Sequence, residues 1–114
     1  MRTFYEHLYF DMKPAYFSPV AGEPIEFPGY EEFQFFIHEA HDFYKRWYDP
    51  EDVSYWFDVH EAKTGHLVAS GDTKEDAYNK ALKLLQTKTI PEIRKAIEKR
   101  IRECGPSPLF RGQS

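Results

Sequence analysis

Apolar and polar side chains alternate from Thr3 to Met12. Phe4, Leu8, Phe10 and Met12 share one side with Glu6, while Thr3, Tyr5, His7, Tyr9 and Asp11 share the other. A repeat of two places successive side chains on opposite faces, so 3–12 reads as a β-strand. The repeat then stops. Residues 13–29 hold Pro14, Pro19, Pro24 and Pro28 with Gly22 and Gly29, and read as a long connection with at most a short strand at Ile25-Glu26-Phe27. Such a length of loop in a compact domain is often functional.

A helical spacing follows. Phe33, Phe36, Ile37, Ala40, Phe43, Tyr44 and Trp47 recur three or four apart and predict a helix over 30–48. Glu31 and Glu32 in its first turn and Lys45 and Arg46 in its last suit the helix dipole, and Asp49-Pro50 ends it. Val53, Tyr55, Phe57 and Val59 alternate with Ser54, Trp56, Asp58 and His60, which predicts a second strand. A turn through Lys63-Thr64-Gly65 leads to a third, His66 to Ser70, paired with it as a hairpin. Thr73 caps the next helix, with Asp76 in capping-box position; Ala77, Tyr78, Ala81, Leu82, Leu84 and Leu85 form its buried side. Thr89, Pro91 and Glu92 start a last helix lined by Ile90, Ile93, Ile97 and Ile101, and Gly105-Pro106 stops it.

The order β-α-β-β-α-α predicts an α+β fold. It would hold a small antiparallel sheet of about three strands, including the hairpin at 53–70, packed against three helices. One domain is expected over 1–105, with a flexible tail at 106–114.

Composition sharpens this picture. Of the twenty Phe, Tyr and Trp residues, eighteen lie within 1–57, so the front half builds either a thick core or a sticky surface. Charge divides the same way. Residues 1–72 carry five basic and fourteen acidic side chains, a net of −9, and 73–114 carry ten and five, a net of +5. Two faces of opposite sign follow if these charges segregate in space. Cys104 is the only cysteine, so no disulfide can form within the chain. No apolar stretch reaches the length that spans a bilayer, and a soluble cytoplasmic protein without a cofactor is expected.

Nothing in the chain matches a P-loop, a dinucleotide fingerprint or a nucleophile elbow. The five histidines are the main candidates for chemistry. His38 and His41 lie three apart on the expected helix, and His60 and His66 lie across the hairpin turn. A site of His38, His41 and His60 with Asp42 or Glu61 could hold zinc for hydrolysis, although the spacing is not that of His-Glu-x-x-His. Phe35 falls off the apolar stripe of its helix, and Trp56, Tyr5 and Tyr9 lie opposite the apolar faces of their strands. These four rings would make a partner-binding surface. Arg94, Lys95, Lys99 and Arg102 on the last helix could follow a phosphate backbone, but the acidic pI of about 5.7 argues against nucleic acid.

Tyr55-Trp56-Phe57-Asp58-Val59, a turn, and Gly71-Asp72-Thr73-Lys74-Glu75-Asp76-Ala77 with Ala81 and Leu82 downstream resemble the core of HicB-like antitoxins. There a strand pair ends in a Gly-Asp-Thr-type turn and an Ala/Leu-patterned helix packs back on the sheet. A double-stranded-RNA-binding domain has a similar strand-strand-helix ending, but its basic residues at the last helix start are missing; Lys74 stands beside Glu75 and Asp76. The resemblance covers 55–85, about a quarter of the chain. It implies the local fold and a small regulator with a protein partner, and it transfers no functional residue. The expected function is therefore a non-enzymatic interaction or regulatory protein. Its aromatic, acidic surface would bind a protein partner or a second copy in a homodimer, away from membranes. The alternatives are a metal-dependent hydrolase using the His cluster and nucleic-acid binding by the basic helix.

Overall fold

A computed structural model describes residues 1–8, 16–41 and 49–111. Five strands form one antiparallel sheet in sequence order: β1 (Arg2–Leu8), β2 (Tyr16–Ile25), β3 (Phe35–His41), β4 (Tyr55–Glu61) and β5 (Leu67–Gly71). Two helices follow, α1 (Lys74–Leu85) and α2 (Ile90–Cys104), with single 3-10 turns at Pro50–Asp52 and Pro108–Phe110. The class is α+β. The element count is corrected: five strands and two α-helices stand among the described residues, not about three strands with three helices.

Two expectations account for the difference. The helix over 30–48 is not formed in its described part. Turns occupy 28–33, β3 begins at Phe35, and residues 42–48 lie outside the described set. Phe35, Phe36, Ile37 and His38 are all buried, which is how a strand covered on both faces reads. Phe35 and Ile37 join the core under the helices, while Phe36 packs on the opposite side with Phe4 and Ala62. The connection at 13–29 is the second correction, since ten of its residues form β2 with Pro19 and Pro24 inside it. β2 tolerates them because it has one neighbour at a time. Residues 16–22 pair with β1 and 23–25 with β3, so a proline nitrogen on the open side costs no ladder bond.

The rear half follows its local signals. Thr73 accepts a hydrogen bond from the Asp76 amide, while the Asp76 carboxylate reaches the Asp72 amide. Thr89 and Glu92 make a reciprocal capping box, and Gly105 ends α2 at a φ of 80°. Ala77, Ala81, Leu85 and Ile93 bury their side chains against Phe27, Phe33, Phe35, Ile37 and Val59, a core on one face of the sheet. Residues 106–111 stay with the body: the Ser107 amide donates to the Lys63 carbonyl, and Phe110 packs on the Phe4–Phe36 cluster. No described helix is long and apolar enough to cross a membrane.

The other face of the sheet is covered by the β1–β2 hairpin. Phe4 stacks on Phe36 at 4.5 Å between ring centroids, and Phe36 stacks in turn on His60 at 5.1 Å. β1 also meets the β4–β5 turn, where the His7 amide donates to the Gly65 carbonyl at 2.9 Å. Gly65 has φ of 73°, and a Cβ there would lie 2.8 Å from the Tyr5 carbonyl oxygen. Both the dihedral and the approach of β1 require glycine. Gly65→Ala should lower unfolding free energy by at least the roughly 1–2 kcal/mol that a left-handed dihedral costs other residues. Chemical denaturation of the two proteins checks this, and equal stability would contradict the packing of β1 on the turn.

Candidate metal centre

Glu6, His38 and His60 meet between the hairpin and the sheet. β3 and β4 pair in a register that sets His38 opposite Asp58 and Phe36 opposite His60. Side chains at 36, 38, 58 and 60 therefore share one face, with a bulge between Val59 and His60. Glu6 arrives from β1, two residues beyond Phe4 on the same side. The ring stack that docks the hairpin thus also delivers a carboxylate to two imidazoles.

Hydrogen bonds fix both rings. His60 Nδ1 lies 2.9 Å from the Gly65 carbonyl and His38 Nδ1 lies 3.1 Å from the Glu39 carbonyl. A carbonyl only accepts, so each Nδ1 donates, and in a neutral ring Nε2 then carries a lone pair. The two Nε2 atoms face each other at 3.1 Å. With both lone pairs on Nε2 the contact is repulsive, and a cation between them, a proton or a metal ion, makes it favourable. Burial disfavours the proton: His60 is held down at about 4, mainly by desolvation and further by His38, against the Gly65 carbonyl and Asp58.

The Glu6 carboxylate completes a triangle. Its Oε2 lies 3.5 Å from His38 Nε2 and 3.8 Å from His60 Nε2. With the 3.1 Å side, the point equidistant from the three atoms lies about 2 Å from each, the usual bond length of zinc to nitrogen and oxygen donors. Burial raises Glu6, opposed by His38 and aided by Asp58. Asp58 Oδ2 stands 4.0 Å from His60 Nε2, and Ser70 Oγ donates to Asp58 Oδ1 at 2.6 Å.

The structure brings together only some of the residues in the sequence-derived metal set. His38 and His60 converge; His41 does not join them, because three residues along a strand lead to the opposite face, whereas on the expected helix they share one. His41 instead lies near the Tyr55 ring, 5.8 Å between centroids. The buried Glu61 carboxylate accepts from the Lys63 and Thr64 amides and closes the turn. Asp42 is outside the described residues. Glu6 was missed, although a carboxylate on the apolar side of the first strand was its signal.

The rings expected to form a partner surface are Tyr5, Tyr9, Phe35 and Trp56. Phe35 is 2% exposed, inside the core under the helices, while Tyr5 and Trp56 are half-buried; Tyr9 lies outside the described residues. On α2, Arg94 makes a two-pronged ion pair with Glu32, and Lys99 lies 3.9 Å from Glu103. Lys95 and Arg102 are exposed.

A second histidine pair flanks the turn. His7 and His66 stack at 4.6 Å, and both are lowered, first by burial and next by Arg100, His66 to about 4. The folded protein therefore leaves His66 neutral between about pH 4 and the ordinary value near 6.5, where the unfolded chain takes up its proton. The His66 contribution to stability is complete above about pH 6.5 and is lost as pH falls toward 4. Buried Glu6 and Glu61, both raised, act in the opposite direction, so a comparison isolates the histidine. In chelator, denaturant midpoints of wild type should fall more steeply than those of His66→Asn between pH 6.5 and 4. Parallel curves would contradict the depressed value.

No protein-family model, curated protein or solved structure matches this chain.

Proposed function

We propose that the protein binds one divalent transition-metal ion through Glu6 Oε2, His38 Nε2 and His60 Nε2. The observation that carries this is the convergence of Glu6 Oε2 on two Nε2 atoms that face each other at 3.1 Å, with each Nδ1 within hydrogen-bond distance of a carbonyl. Two imidazoles and a carboxylate are borderline donors that suit zinc better than magnesium or calcium, which prefer all-oxygen shells. The carbonyls of Gly65 and Glu39 act as the outer partners that orient metal-bound histidines. Structural zinc sites are closed by four protein ligands, whereas catalytic ones keep a position open. Three ligands here leave such a position, with Asp58 beside it, and support the hydrolase class over a purely structural ion.

Zinc titration of the metal-free protein against a chromophoric chelator, with native mass spectrometry for stoichiometry, tests the site. One equivalent should bind. His38→Ala and Glu6→Gln should each weaken binding by more than the roughly 100-fold that outer partners control. At a hundredfold excess over the dissociation constant, zinc should stabilise wild type by about 2.7 kcal/mol and leave His38→Ala unmoved. Failure to bind, or variants that bind like wild type, would overturn the reading.

A further inference from the structure

The metal centre opens into a groove whose walls are strand edges. β2 and β3 pair only from Glu23–Ile37 to Ile25–Phe35, and beyond Ile37 no described strand pairs with β3 on that side. β2 turns away to β1, and the gap between the parting strands is a groove of about 850 Å³. Ile37 through His41 line it consecutively, as do Val20 and Ala21 across the gap. Side chains on one face of a strand alternate, so an unbroken run marks an edge, and among the described residues no strand pairs with its backbone N–H and C=O groups. Glu6, His38 and Asp58 lie in the same lining, while His60 is buried behind them.

We infer, resting on the metal reading, that the groove takes an extended polypeptide as an added strand along β3 and that the metal centre hydrolyses one of its amide bonds. An extended segment satisfies the open edge with main-chain hydrogen bonds and brings a carbonyl to the ion, which no compact small molecule does along a strand. The charges choose among peptides. Lys74 is tied to Glu23 at 2.9 Å, and with Glu6 assigned to the ion, Glu39 and Asp58 are the acidic side chains left in the lining, against the amino terminus of Met1, which favours basic side chains in the substrate. The half-buried Trp56 offers an aromatic wall beside them.

The chemistry balances without an oxidant or reductant. The oxygen of an ion-bound water forms a bond to the amide carbon and passes a proton to Asp58 Oδ2. The C–N bond then breaks, and the departing nitrogen takes the proton from Asp58, giving a carboxylic acid and an amine. Asp58 fits this role because Ser70 holds its other oxygen and leaves Oδ2 on the side of the imidazoles.

The experiment incubates zinc-loaded protein, its zinc content measured in the same sample, with quenched fluorescent peptides of mixed sequence and with p-nitrophenyl acetate. Zinc-dependent cleavage of peptides, faster for those with Lys or Arg, is expected. Asp58→Asn should keep one zinc and lose at least about 100-fold in kcat, with Asp58→Glu restoring part of it. Glu39→Lys should keep zinc and raise KM for basic peptides several-fold with kcat little changed. Bound zinc without peptide cleavage, or cleavage of the acetate alone, overturns this inference and leaves the metal reading intact. Absence of zinc overturns that reading itself. An Asp58→Asn protein as fast as wild type removes the role given to Asp58.

Discussion

The divided pairing of β2 is the constraint from which the rest of the molecule follows. A sheet with helices on only one face must cover the other, and this chain does so with its first two strands. One strand is shared: it pairs with β3 over 23–25 and with β1 over 16–22. The same departure that lets β1 cross the open face lays Phe4 on Phe36 and brings Glu6 over the histidines. It also leaves the end of β3 without a described strand beside it on that side. Cover, ligand and groove are three consequences of one strand changing partners.

The face so covered is not packed as a core would be. His38 and His60 are 6% and 4% exposed, where aliphatic side chains would bury more area without polar groups to satisfy. Their Nδ1 atoms are satisfied by carbonyls and their Nε2 atoms are turned on each other, which is poor design for stability alone. Breaches of local consistency concentrate at functional sites, and this one stands at the mouth of a groove of about 850 Å³. The Gly65 carbonyl shows how closely site and fold are joined. It accepts from His60 Nδ1 and from the His7 amide, so the turn that orients a ligand also anchors the strand that carries Glu6.

Much of the rear half could be read from sequence because its signals are local. Thr73 and Thr89 cap, Gly105 stops, and the Ala/Leu and Ile stripes face the sheet. The front half could not, since its structure depends on what covers it. Phe33, Phe36, Ile37 and Ala40 keep a helical spacing, yet the run Phe35 to His38 is buried on both sides, and only the remote hairpin supplies one of those sides. Pro19 and Pro24 speak against a strand unless one edge is free, a condition set by tertiary structure. The grouping of His41 with His38 descends from the same misreading. Spacing of three joins His38 to His41 on a helix and parts them on a strand, and without β1 over the sheet Glu6 has no claim to the site.

No local motif marks the centre because its donors come from three strands, and each is separated from the next by more than twenty residues. Such a site does not exist in the unfolded chain, so the free energy of metal binding adds to that of folding. The addition is not spread evenly. His38 and His60 are joined by the β3–β4 ladder whether or not an ion is present, whereas Glu6 reaches them only when the hairpin is docked. An ion at this position therefore acts chiefly on the hairpin, strengthening a contact otherwise held by ring stacking and the Gly65 turn. Because the hairpin also forms one wall of the groove, an ion that strengthened the hairpin contact would also order the groove. In the proposed reading, metal affinity and peptide binding would be linked through a single element, β2, without any second conformation being required.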